Sequence, residues 1–260
     1  MLRLTKELIN YNVKAFDDEI GKVNDFLFMD EDFIIRYMVV NIGVIIFGRN
    51  VLIPPSTLGE PDWMSKQFPI NLTKEEIKDA PDIKTDQPIS ALDLDRLHDH
   101  YKWPKFWTTF NTAGTALSTP SHTSSDAVKP EHRTDTARIA IEKHMQITGP
   151  KLRSVNEIFG YEVEANDGVA GKIDDIIIDD KLWRLRYVVI NTGTLFNNKK
   201  VILAVDWIDW ISHRNSKLRV DIPVKFIEQS PEFDPTVPMT RRQEEVFYDF
   251  HGKPYYWINR

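Results

Sequence analysis

The stretch GKVNDFLFMD at Gly21–Asp30 returns as GKIDDIIIDD at Gly171–Asp180, 150 positions later. The same spacing relates Glu7 to Glu157, Tyr11 to Tyr161, Val13 to Val163 and Ala15 to Ala165. It continues through Arg36-Tyr37 and Arg186-Tyr187, Asn41 and Asn191, Gly43 and Gly193, and Pro81 and Pro231. It still holds at Pro88, Pro104 and Trp107, which match Pro238, Pro254 and Trp257. One spacing kept without a gap over so long a span identifies an internal duplication. The expected organisation is a first unit over 1–107, a polar linker over 108–150 and a second unit over 151–260. The linker is rich in Ser, Thr and Pro at its start and poor in large apolar residues.

Within each unit, two β-rich runs flank an acidic turn, 21–29 and 33–41 in the first copy and 171–179 and 183–191 in the second, which predicts an antiparallel hairpin. The expected register sets Phe26 against Ile35, Phe28 against Phe33 and Asn24 against Tyr37, with Ile176 against Leu185 and Ile178 against Trp183. That face is assigned to a barrel interior. The same register sets Asp25 against Arg36 and Asp175 against Arg186, as structural cross-strand pairs that fix the register. The opposite face carries Val23, Leu27, Ile34 and Met38, and Ile173, Ile177 and Val188. A half-solvated sheet alternates more cleanly, so the unit's own helix, the other unit or a partner is expected to cover this face. Short strands are expected at 44–47, 51–53 and near 68–72, and at 194–196, 201–203 and near 218–222. Thr73-Lys74-Glu75-Glu76 reads as a capping box. Ser90 with Asp93, and Thr240 with Gln243, open helices expected over 91–101 and 241–251. Aromatic tails follow at Trp103-Pro104-Lys105-Phe106-Trp107 and Lys253-Pro254-Tyr255-Tyr256-Trp257.

Composition narrows function. The 260 residues carry a net charge of −6, with 39 acidic and 33 basic side chains. Nucleic-acid binders present a basic surface that releases phosphate counterions, so no nucleic-acid partner is expected. With no cysteine, disulfides, thiolate catalysis, iron–sulfur clusters and Cys-ligated zinc are excluded. No run approaches the ~20 apolar residues needed to cross a bilayer, and Met1–Val13 has no signal-peptide core. A soluble, cytoplasmic protein is expected.

No P-loop, dinucleotide fingerprint, HExxH or GxSxG pattern occurs. His98 and His100 are two apart on a helix and point to different faces. The acidic clusters Asp17-Asp18-Glu19, Asp30-Glu31-Asp32, Asp174-Asp175 and Asp179-Asp180 lack the spacing of a calcium loop. His213 stands alone and reads as a surface residue. No catalytic, cofactor-binding or metal-binding residue is expected, and no cofactor.

The run Gly21-Lys22-Val23-x-Asp25, then Arg36-Tyr37-x-Val39, then Val51-x-Ile53-Pro54, resembles the PRC-barrel family. Gly171-Lys172-Ile173-x-Asp175, Arg186-Tyr187-x-Val189 and Val201-Ile202-Leu203 resemble a second copy. The resemblance implies a mainly β chain with short helices: two tandem small antiparallel β-barrels, each followed by a helix and an aromatic tail. Better-understood members use the barrel for protein contacts, in the photosynthetic reaction-centre H subunit and in a ribosome-maturation factor. This chain is expected to lack the membrane helix of the one and the separate N-terminal barrel of the other.

The expected function is a non-enzymatic protein-interaction scaffold or adaptor, with an intramolecular pseudo-dimer or a homodimer of the whole chain. Trp103, Phe106, Trp107, Tyr255, Tyr256 and Trp257 form a possible interface, because Trp and Tyr bury large area with few rotors. The competing expectation for these rings is that they fold back to cover the apolar outer face. The alternatives are a small-ligand-binding barrel, or an accessory factor of electron transport or ribosome maturation. Phe26, Phe28, Tyr37 and Trp183 are large enough to fill a small barrel and leave no cavity.

Overall fold

The computed structural model describes residues 1–43, 48–85, 89–107, 151–193 and 199–258. The expected linker, 108–150, and the short strands expected at 44–47 and 194–196 lie outside the described residues. Among the described residues, those within 1–74 and 152–258 lie in one compact body, and those within 75–107, with 151, in a second.

The first body contains two mainly antiparallel sheets. The first repeat supplies β1 (Leu2–Leu4), α1 (Thr5–Leu8), β2 (Asn12–Lys14), β3 (Glu19–Met29), β4 (Ile35–Ile42), β5 (Arg49–Ile53) and β6 (Gln67–Pro69). The first turn of α2 (Lys74–Lys78) opens at its end, and in the second body α3 (Ala91–Tyr101) follows. The second repeat supplies β7 (Leu152–Ser154), α4 (Val155–Ile158), β8 (Glu162–Glu164), β9 (Val169–Asp179), β10 (Arg184–Asn191) and β11 (Lys200–Ala204). It ends with β12 (Ile208–Ser212), β13 (Lys217–Val220), α5 (Val224–Glu228) and α6 (Arg241–His251). Both long helices start at the expected residues. Ser90 accepts from the Asp93 amide, and Thr240 makes the full reciprocal capping box with Gln243.

The sheets run β5-β4-β3-β2-β6 and β11-β10-β9-β8-β13-β12, six and seven strands once β7 and β1 are included. The expectation of two closed antiparallel barrels is corrected on two counts. Neither sheet is closed by hydrogen bonds among the described residues, since the end strands of each order are not paired with each other. Moreover, β2 with β6 and β8 with β13 are parallel pairs.

The repeated Gly-Lys has a steric origin. A Cβ on Gly21 would stand 1.9 Å from the Asn41 carbonyl oxygen, and one on Gly171 2.3 Å from that of Asn191. Each glycine lets its strand approach the neighbouring backbone at the same point of the sheet.

The hairpin register differs from expectation in both copies. Phe26 faces Met38, Leu27 faces Tyr37 and Phe28 faces Ile35, while Ile176 faces Val188, Ile177 faces Tyr187 and Ile178 faces Leu185. Two bulges per hairpin cause the shift, at Asn24 and Arg36 and at Asp174 and Arg186. A bulge adds one unpaired residue and reverses the facing of the residues beyond it. Tyr37 and Tyr187 therefore share a face with Leu27 and Ile177. Of the expected outer-face residues, Val23, Leu27, Met38, Ile173, Ile177 and Val188 are buried and Ile34 is half-buried.

Candidate functional site: the junction between the repeats

The two repeats exchange their first strands. β1 pairs with β9, placing Leu2, Arg3 and Leu4 opposite Asp179, Ile178 and Ile177. β7 pairs with β3, placing Leu152, Arg153 and Ser154 opposite Met29, Phe28 and Leu27. β3 and β9 are 11 residues long, and β2 and β8 cover only their first halves. The exchanged arm occupies the rest of that edge, which would otherwise present unpaired backbone groups.

Side chains read the arm as well as its backbone. Asp25, expected opposite Arg36, stands opposite Val39 and turns toward the second repeat. It accepts from Ser154 Oγ at 2.5 Å, the Asn156 amide at 3.1 Å and its own neighbour's Phe26 amide at 2.7 Å. Asp175, expected opposite Arg186, stands opposite Val189. It accepts from Thr5 Oγ1 at 2.8 Å, the Lys6 amide at 3.2 Å and the Ile176 amide at 2.7 Å. Arg36 instead pairs with Asp32, and Arg186 lies 3.6 Å from Asp179. The expected cross-strand pairs fail because each arginine sits on a bulge with no residue opposite it. Asp25 and Asp175 are 9% and 4% exposed, and burial raises both carboxyls above the usual range against the pull of these hydrogen bonds.

Five residues further along each strand a second carboxylate meets the arm's arginine. Arg3 Nε lies 3.6 Å from Asp180 and Arg153 Nε 3.5 Å from Asp30. Tyr11 and Tyr161 donate to Glu7 and Glu157 beside them, at 3.2 and 3.1 Å. Burial and the neighbouring Glu157 charge raise the Tyr161 phenol to about 12. Among the differences between the copies, Trp63 of the first is His213 in the second. In the first, the Trp63 ring lies 3.9 Å from the Arg3 guanidinium. In the second, the equivalent His213 reaches Asp30 at 2.8 Å and Glu157 at 3.6 Å. His213 is thus a junction residue and not the free surface residue expected.

The hairpin tips meet too. The Ile35 amide donates to the Trp183 carbonyl at 2.7 Å, and the Leu185 amide to that of Phe33 at 2.8 Å. Phe33 and Trp183 both adopt left-handed backbone, with φ of 56° and 49°. Trp183, expected against Ile178 in its own copy, packs instead on Phe26 and Phe68 of the first repeat, at 6.0 and 6.1 Å between ring centroids. Phe26 and Phe68 are fully buried, and their rings and that of Trp183 fill this part of the core.

The second repeat's tail covers its own sheet. Ile177, Tyr187, Val189, Ile202 and Ala204 pack with Phe247 and Tyr248 of α6, and Tyr255, Tyr256 and Trp257 close over them. Buried Glu244 accepts from Tyr187 at 2.7 Å and Tyr256 at 3.1 Å, and pairs with Arg241 at 2.8 Å. The guanidinium of Arg186 lies over the Tyr256 ring, and that of Arg241 over Trp257. The first repeat has Leu94, Ala91 and Phe106 where the second has Glu244, Arg241 and Tyr256, so this polar network belongs to one copy. In the second body, Trp103, Phe106 and Trp107 gather around buried His98, whose Nδ1 is 3.0 Å from the Pro104 carbonyl. His100 turns away from it to the Glu76 carbonyl, 3.1 Å off.

Ser230 Oγ stands 2.8 Å from His251 Nε2, a nucleophile–base distance, but both are buried beneath Phe226, Phe247 and Trp207. Among the described residues no three His, Asp or Glu side chains are placed to hold a metal ion, and no helix is long and apolar enough to cross a membrane. The arm residues Thr5, Ser154 and Asn156 were missed from sequence. The available signal was Leu2-Arg3 recurring as Leu152-Arg153, ahead of any strand-length pattern.

Residues 150–227 match the PRC-barrel domain family. No curated protein matches the chain. Among solved structures, a similar chain is that of RimM, a 16S ribosomal RNA processing protein from Pseudomonas aeruginosa. It is 13% identical with a TM-score of 0.22, and the match covers 32% of this chain and 58% of that one. The present chain thus spans little more than half of that protein's length. Residues 150–227 are a PRC-barrel domain, and residues 1–77 repeat its order of strands and helices apart from β12.

Proposed function

We propose that this chain is a non-enzymatic adaptor, two PRC-barrel-like repeats locked into one piece that offers its outer surface to protein partners. The observation that carries this reading is the reciprocal exchange of β1 and β7. It joins residues 1–74 of the first copy to the second copy, with the buried carboxylates Asp25 and Asp175 engaged in the joining. Buried Glu244 holds α6 on its own sheet. Large apolar side chains remain exposed at Phe16, Trp210 and Phe226, on separate elements of the same body. A photo-crosslinking amino acid placed at each of these positions in the full chain, in its own host cell, tests the reading. Adducts to the same few proteins are expected. Adducts to none, from a folded and expressed chain, overturn it.

A second reading rests on a groove of about 230 Å³ between β1 and the segment 233–239, lined by Leu2, Leu4, Ile177, Phe233, Val237 and Met239. Arg3 and Glu7 line it as well, so it suits a small ligand that carries both apolar and polar groups, outside the filled core. A screen of such ligands that never raises the melting temperature of the full chain removes it.

A further inference from the structure

We propose that the acceptor edges of β3 and β9 also take the arm of a second copy of this chain, so that two chains interlock by the exchange that interlocks the repeats. Both arms pair in the other repeat: β1 lies on β9 and β7 on β3. The two acceptors use one recognition scheme. A buried aspartate, Asp25 or Asp175, takes a side-chain hydroxyl from the last residue of the arm (Ser154) or the residue just after it (Thr5), and a backbone amide from the turn that follows (Asn156 or Lys6). An aspartate five residues on, Asp30 or Asp180, faces the arm's arginine. The arms share Leu-Arg at the matching positions, and each supplies one hydroxyl, on Thr5 or Ser154. Every copy of the chain therefore carries two arms and two acceptors of matched chemistry.

Within one chain the arm is tethered, so its effective concentration favours the closed monomer. Releasing an arm exposes a strand edge and leaves a buried carboxylate with only the amide of its own next residue, and the arm of another molecule satisfies both at no cost in contacts. Exchange of identical elements is a low-cost route to a dimer. Its yield depends on how often arms are released and on how many other chains are near. No part of this rests on the adaptor reading.

The test uses the full chain. The protein has no cysteine, so Leu4→Cys with Ile177→Cys, a directly opposed pair in the β1–β9 register, reports the location of the arm. The chain is taken to its urea midpoint at several protein concentrations, returned to buffer, and sized by gel filtration with mass determination. A dimer fraction that rises with concentration is expected, with the cysteine pair oxidising between chains in the dimer and within the chain in the monomer. Oxidation before urea treatment is expected to abolish the dimer, and reductant to restore it. If the double variant does not fold, native mass spectrometry of the unaltered chain, with and without an excess of peptides of residues 1–9 and 151–159 during the urea step, replaces it. The peptides are then expected to fill the released edges and suppress the dimer. Monomer alone at every concentration, a dimer whose cysteines never join between chains, or a dimer that the arm peptides leave unchanged overturns the proposal.

Discussion

Ser154 Oγ donates a 2.5 Å hydrogen bond to Asp25 Oδ2 across 129 residues of chain. Thr5 Oγ1 returns it in the opposite sense to Asp175, across 170. These two contacts hold each repeat's first strand in the other's sheet, and they give the first prediction. Asp25→Ala leaves the Ser154 hydroxyl and the Asn156 and Phe26 amides without their acceptor, which costs about 1–3 kcal/mol per stranded group that stays dry. Asp25→Asn keeps Oδ1 for the two amides, and the Ser154 hydroxyl can rotate to accept from the new amide. Urea unfolding is expected to show a large loss for Ala and little change for Asn, with the same ranking at Asp175. Equal losses for both substitutions would show that charge, and not acceptor geometry, holds the arm.

Trp183 belongs by sequence to the second repeat and by packing to the first. Trp183→Ala removes a half-buried ring from against Phe26 and Phe68, at a cost on the order of 2–3 kcal/mol. Its exposed neighbour supplies the control: Leu182→Ala, at a side chain 44% exposed, is expected to stay within about 0.5 kcal/mol. Thermal melts of the two variants check this, and a single cooperative transition for Trp183→Ala would place the loss within one folding unit.

Glu244 is buried with two phenols and a guanidinium around it. Glu244→Ala leaves Arg241 without its carboxylate and the Tyr187 hydroxyl without its acceptor, a loss of about 3 kcal/mol. The matching substitution in the first repeat, Leu94→Ala, loses packing only. Hydrogen exchange is expected to report opening of α6 in Glu244→Ala, with the amides of β9 and β10 under it exchanging faster.

Acid weakens the fold through His251. Burial pulls its imidazole from an ordinary 6.5 to about 4, with the charge of Lys253 acting in the same direction. The unfolded chain therefore binds the proton between those values and the folded chain does not. His251 contributes stability that is fully present above pH 6.5 and is lost as pH falls toward 4, about 3 kcal/mol at the limit. Asp25 and Asp175 work in the opposite sense. Their raised carboxyls favour the folded state at low pH, and that contribution fades as pH rises through their folded values. Unfolding of His251→Phe against the unaltered chain from pH 7 to 4 isolates the histidine. The difference is expected to shift toward the variant as pH falls, and a constant difference would exclude this role.

The amino-acid sequence by itself determined the duplication, the long helices to the residue and the burial of both sheet faces. Each of these rests on local chemistry: a fixed spacing, a hydroxyl cap with its partner three residues on, and apolar side chains where a solvated face would carry polar ones. Only the tertiary structure decided the register and the partners. Asp25 and Arg36 look like opposite members of a hairpin until bulges at Asn24 and Arg36 turn them apart, and a period of two cannot announce where it will be broken. Leu2-Arg3 and Leu152-Arg153 are the same dipeptide, so the local pattern does not distinguish the edge that each arm takes. Which edge an arm occupies is therefore settled by how the chain between arm and acceptor is routed in space, and that routing leaves no trace in the local pattern.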